Sequence, residues 1–106
     1  MKNRPQPAWT AARVLRTFDG PNADYNIERA IVALYTRQTA QEQAQGGTLH
    51  DNAIGFNGPD GGKLSYYARW LSSGRHLDGK FKDDAHQRIR KYARQIADLA
   101  NEAVAA

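Results

Sequence analysis

The sequence predicts an all-α fold, a small bundle of three to four helices with one long Gly-rich loop, on three observations. Apolar residues recur at helical spacing over two long segments, turn clusters separate the segments, and no segment reads convincingly as a strand. The 106 residues suit one domain, and a domain of that size hides roughly two-thirds of its unfolded surface, enough for one modest core. Residues 1–7, with Pro5 and Pro7 and little to bury, read as a flexible basic arm, and 8–106 as a single helical domain.

Each element has its own signal. Trp9, Leu15 and Phe18, with Val14 beside them, suit a short helix after Thr10, with a strand over 13–17 as the rival. Asp19-Gly20-Pro21-Asn22 is a turn cluster. Ile27, Ile31, Leu34, Tyr35 and Gln38 form a helical stripe, with Asp24 or Asn26 as capping acceptor, running to about Ala44 before Gly46-Gly47. The connection from Gly46 to about Asp60 is long for so small a domain. A third helix is expected from an Asp60 N-cap to just before Gly74, its face built from Leu64, Tyr67, Ala68 and Leu71 and widened by Trp70. The last is expected from about Lys82 to Ala103, where Ala85, Ile89, Tyr92, Ile96, Leu99 and Ala103 make one continuous stripe over roughly 30 Å.

Composition narrows the function classes. No cysteine is present, which excludes disulfide scaffolds and thiolate zinc sites. No apolar run approaches the ~20 residues of a membrane span, and the start lacks a secretory signal, so the expectation is a cytoplasmic protein with no membrane partner. The net charge is +4, unevenly spread. Lys2, Arg4, Arg13 and Arg16 stand without an acid in the first 17 residues, and a second basic block runs from Arg75 to Arg94. Two such blocks make nucleic acid, DNA ahead of RNA, a candidate partner.

On a 100° wheel with Ile89 and Ile96 inward, Arg90, Lys91 and Arg94 face outward and Arg88 sits at the flank. A row of cations on a rigid rod is suited to tracking phosphates, with Lys2, Arg4 and Arg13 as a secondary set. The ordinary alternative is a solvated face. Tyr66 and Trp70, four residues apart, can share a face beside the buried stripe and would then offer a protein-binding hot spot or a stacking platform, core packing being the plainer fate of Trp70. In the loop, Ile54 and Phe56 are expected to plug the core, while Asn57 either satisfies local backbone or meets a partner.

Catalytic patterns fail one by one. Gly62-Lys63 has Asn57 and Leu64 where a phosphate-binding loop needs Gly and Ser or Thr. The His50-Asp51 doublet, as in metal-dependent phosphohydrolases, lacks further ligands, and His76 and His86 read as surface residues. No serine or carboxylate pair has a persuasive partner, so the expectation is a protein that is not an enzyme, with no cofactor, no metal and no small-molecule substrate.

Three patches resemble a known class. Leu34-Tyr35-Thr36-Arg37-Gln38-Thr39 with Glu42-Gln43, then Asn52 with Gly55-Phe56-Asn57 and Asp60, then Lys91-Tyr92-Ala93-Arg94-Gln95-Ile96 resemble, in this order, a loosely defined class of short helical domains from phages, plasmids and bacteria, free-standing or appended to helicase-like proteins. The class often opens its last helix with Leu, a small residue, any residue, then Lys-Gln; here Leu77-Asp78-Gly79-Lys80-Phe81 has Phe81 in place of the glutamine. The resemblance implies association with nucleic-acid machinery on mobile DNA and supplies no catalytic residues.

Two expectations follow. The first is a non-enzymatic nucleic-acid-binding or helicase-accessory module of a phage or mobile element, using Arg88, Arg90, Lys91 and Arg94. The second is a small phage-type inhibitor or adaptor that binds a host protein complex through Asn57, Tyr66 and Trp70.

Overall fold

The computed structural model describes residues 9–44 and 58–105. The arm carrying Lys2 and Arg4 and most of the long loop, with Asn57 and the His50-Asp51 doublet, lie outside the described residues. Within them the molecule is all helical. Helix α1 spans Ala11–Thr17, α2 Ala23–Ala44, α3 Gly58–Ser72, α4 Gly79–Ile89 and α5 Ala93–Ala105, with a 3-10 turn over Arg90–Tyr92 between the last two. Among the described residues no helix is long and apolar enough to cross a membrane.

The open choice at the N-terminus resolves as helix. Thr10 is extended and its hydroxyl accepts from the Arg13 N–H at 3.1 Å, satisfying one of the first-turn donors. Helix α1 is held along α5 by a reciprocal clamp between residues 92 positions apart. Trp9 N–H donates to Asn101 Oδ1 and Asn101 Nδ2 donates to Trp9 O, each at 2.9 Å. With Arg90 meeting Asp19 at the other end, α1 runs antiparallel to α5.

Helix α2 is the hub, packing on α3, α4 and α5. Its expected stripe is confirmed: Ile27, Ile31 and Leu34 are buried, and Tyr35 packs partly buried against them. The helix begins earlier than its proposed caps. Asn26 Nδ2 instead donates to Thr17 O at 3.2 Å, and Asp24 reaches Lys82 and His86 on α4. Arg37 pairs with Glu102 near the far end of α5, so α2 and the α4–α5 rod run in the same direction.

Helix α3 returns antiparallel to both. Leu64, Tyr67 and Ala68 are buried as their spacing predicts, while Leu71 and Trp70 are partly buried. The helix starts at Gly58, which puts Asp60 inside the first turn rather than at the N-cap. Its end is set by Gly74, whose φ of +91° is the left-handed conformation that glycine adopts without steric cost. Gly79, at φ +57°, makes the same kind of turn into α4.

The C-terminal rod differs from the continuous helix expected. It starts at Gly79 and tightens into 3-10 geometry at Arg90–Tyr92. Ala85, Ile89 and Tyr92 are buried as predicted, but beyond the turn the fully buried positions are Ala93 and Ala97, with Ile96 and Leu99 only partly covered and Ala103 exposed. The physical reason is that α5 packs against two helices, α1 and α2, and so buries a wider face than a single stripe.

Candidate partner-binding site

Two clusters of functional side chains lie at different places on α3 and the rod. The first gathers the cations expected to meet phosphates. Asp60 has a side chain only 3% exposed and receives three donors: Arg88 Nη1 on Oδ1 at 3.0 Å, and Lys91 Nζ at 2.6 Å and the Tyr92 hydroxyl at 3.0 Å, both on Oδ2. Arg88 Nε also donates to Asp84 Oδ2 at 2.8 Å, which accepts from the Tyr67 hydroxyl at 2.7 Å. A continuous chain of polar contacts therefore ties α3 to the rod, from Tyr92 through Asp60, Arg88 and Asp84 to Tyr67.

Burial alone would push the Asp60 carboxyl up. The hydrogen bonds from Lys91, Arg88 and Tyr92 outweigh it and hold the group below the ordinary aspartate value. Asp84 is likewise depressed, burial opposing and the Arg88 and Tyr67 hydrogen bonds prevailing. Burial first, then the bond to Asp84, pushes the Tyr67 hydroxyl up to about 12. On the far side, Lys82 and then His86 hydrogen-bond Asp24 and lower it.

These directions fix a pH dependence. A carboxylate depressed in the folded state adds stability that is complete above the unfolded-chain value of 3.8 and is lost as pH falls through the folded value. Thermal melts followed by circular dichroism should give a level midpoint from about pH 7 to pH 5 and a decline below about pH 4. The Asp60→Asn variant should show a shallower decline. A midpoint that rose on acidification would contradict the assigned contacts.

The cations therefore do not form one outward row. Arg90 turns to Asp19 at 2.5 Å, Lys91 and Arg88 turn to Asp60, and Arg13 lies over the Trp9 ring at 3.9 Å. Arg94 is exposed, and among the described residues no carboxylate lies within ion-pair distance of it. The histidines that are described are held by acids: His76 Nδ1 is 2.8 Å from Glu28 and His86 Nε2 is 3.1 Å from Asp24. Among the described residues no group of three or more His, Asp or Glu is arranged to hold a metal ion.

The second cluster is aromatic. Tyr66 and Trp70 come together as their spacing predicts, rings 6.5 Å apart and within 27° of parallel. Across from them stands Phe81 on α4, its ring 6.4 Å from that of Tyr67. Tyr66 is 51% and Phe81 47% exposed; Tyr25 on α2, at 60%, is the other exposed large ring among the described residues. With Tyr67, Leu77, His76 and Asp78 they line a cleft of about 100 Å³ between α3 and the start of α4.

The cleft wall is built rigidly. Trp70 Nε1–H donates to His76 O at 3.0 Å, and Glu28 accepts both from His76 and from the Leu77 backbone N–H, the latter at 3.0 Å. One carboxylate on α2 thus pins the α3–α4 turn against the helices. Phe81 is the residue that sequence reasoning did not place in a site. The available signal was its position, where the resembled class carries glutamine.

The chain matches no family model, no curated protein and no solved structure.

Proposed function

We propose that this chain is a non-enzymatic module that binds a protein partner through the cleft between α3 and α4. The carrying observation is the pair of half-exposed rings, Tyr66 and Phe81, that flank a small apolar cleft on a pinned scaffold. The size of this cleft favours a side chain as its ligand. Pockets for cofactors and substrates run to roughly 300–1,000 Å³, whereas a cavity of roughly 150 Å³ holds one benzene ring. A cleft of about 100 Å³ accepts a single side chain. Binding energy at protein interfaces concentrates on such aromatic anchors, and a rigid wall lowers the entropy cost of docking. A phage-type adaptor or inhibitor acting on a host complex is one role for such a module.

The test is co-purification from the source cell with the wild type and with a Tyr66→Ala/Phe81→Ser variant. The expected result is one protein retained in stoichiometric amount by the wild type and lost by the variant, with helicity unchanged because both rings are half exposed. Recovery of nucleic acid alone, or equal retention by the variant, overturns the reading.

A specific observation keeps nucleic acid as a second reading. Arg13 and Arg16 line one open cleft at the end of α1. The antiparallel register of α1 on α5, fixed at Trp9–Asn101 and Asp19–Arg90, sets Arg16 and Arg94 at similar heights along the pair. Both arginines are exposed, and a reduced phosphate-binding surface would be built on them rather than on the whole rod.

A further inference from the structure

We infer that the partner segment received by the α3–α4 cleft is acidic, carrying one apolar side chain with aspartate or glutamate close to it on both sides. The inference rests on the reading of the cleft as a protein-docking site and adds the chemistry of the occupant. It comes from the charges set around the rings. The Arg75 guanidinium lies 4.4 Å from the centre of the Trp70 ring, and Lys80 Nζ lies 5.9 Å from the centre of the Phe81 ring. Lys80 stands over the Phe81 ring, and Arg75 stands over the Trp70 ring at the border with a neighbouring cleft that it lines with Leu71 and Gly74; both cations are on exposed residues. Neither has a carboxylate within ion-pair distance among the described residues, in contrast to Arg37, Lys82, Arg88, Arg90 and Lys91, which all do.

Of the acids nearby, two are engaged elsewhere, and the exposed Asp83, three residues from Lys80, is not within ion-pair distance of either cation. Glu28 holds the turn and Asp84 is taken by Arg88 and Tyr67. Asp78 is the one acid in the cleft wall. It sits at the N-cap of α4 yet makes no capping hydrogen bond, which suits it to accept a backbone N–H of a docked chain. An apolar side chain entering between Tyr66 and Phe81 would be desolvated by the rings, and acids next to it would fall beneath Arg75 and Lys80. Desolvation at the rim makes each such ion pair stronger than on an open surface.

A random peptide library displayed on phage, selected on the wild type and on the Tyr66→Ala/Phe81→Ser variant, tests this. Peptides selected by the wild type alone should share a Leu, Ile, Met or Phe with Asp or Glu within a few residues on each side. A synthetic peptide of leucine between paired glutamates should then bind more tightly than its lysine-flanked counterpart. The Arg75→Glu/Lys80→Glu double variant should weaken the glutamate peptide by about tenfold and favour the lysine one. Glutamate at position 80 falls in the first turn of α4, where negative charge is favourable, so the fold should tolerate the change. Wild-type-specific peptides without acids, or a glutamate peptide indifferent to the double variant, overturn the acidic chemistry and leave the docking cleft standing. Selection that does not distinguish the ring variant from the wild type overturns both.

Discussion

Replacing Asp60 by alanine should cost about 3 kcal/mol of folding stability, the largest loss expected from any polar position among the described residues. The estimate follows from what each partner does once the carboxylate is gone. Tyr92 is buried and its hydroxyl would lose the Asp60 carboxylate it now donates to, which carries part of a desolvation penalty. Arg88 is only partly stranded, because Asp84 still accepts its Nε. Lys91 is 61% exposed and can retreat to water. The loss therefore sits at the lower end of the range for breaking a buried pair. It remains a large share of a total that is roughly 5–15 kcal/mol for domains in general. Urea titration should show it as a reduced midpoint with unchanged slope, and thermal melts as a fall of about 12–20 °C. Asp60→Asn keeps the shape and an acceptor for Tyr92, so it should lose about half as much. A loss below about 1 kcal/mol would reduce the network to an ordinary surface ion pair.

That contrast between carboxylates explains what was and was not legible in the sequence. Helical spacing identified the core correctly at Ile27, Ile31, Leu34, Leu64, Tyr67, Ala68, Ala85, Ile89 and Tyr92, because a 3.6-residue period is a property of one element alone. The break at Arg90–Tyr92 was not legible, since 3-10 and α geometry draw on the same residues and differ only in which carbonyl each N–H reaches. The destinations of Arg88, Arg90 and Lys91 were hidden for a related reason. A wheel gives the direction of a side chain from its own axis and says nothing of an acid brought alongside by another helix. Asp60 precedes Arg88 by 28 positions, and Asp19 precedes Arg90 by 71. The aromatic site divides in the same way: Tyr66 and Trp70 are neighbours by spacing on one helix, whereas Phe81 joins them only through tertiary packing.

Reversing the rod's cations with the triple variant Arg90→Glu, Lys91→Glu and Arg94→Glu should lower folding stability by about 1–3 kcal/mol rather than leave the bundle's stability untouched. Glutamate at 91 would be brought beside Asp60, a buried carboxylate that now accepts from the Lys91 ammonium, and glutamate at 90 would face Asp19. Like charges at such distances repel, and the buried member cannot move into water without opening the α3–rod contact. The depressed carboxyl of Asp60 would be driven upward, so the variant should recover part of its stability on mild acidification, the opposite of the wild-type response. By contrast, Arg94→Glu alone should leave the thermal midpoint within a degree or so, because it breaks no ion pair among the described residues. The two behaviours separate structural from functional charge. Loss of DNA binding in the triple variant would mix lost stability with lost charge, whereas Arg16→Glu/Arg94→Glu changes two exposed cations and leaves Asp60 and Asp19 their partners. A titration of that double variant on short DNA at two salt concentrations should show weaker binding and a shallower salt slope if phosphates dock there, by close to one log unit per log unit of salt for each contact removed. Unchanged binding with an unchanged slope would leave the aromatic cleft as the molecule's contact surface.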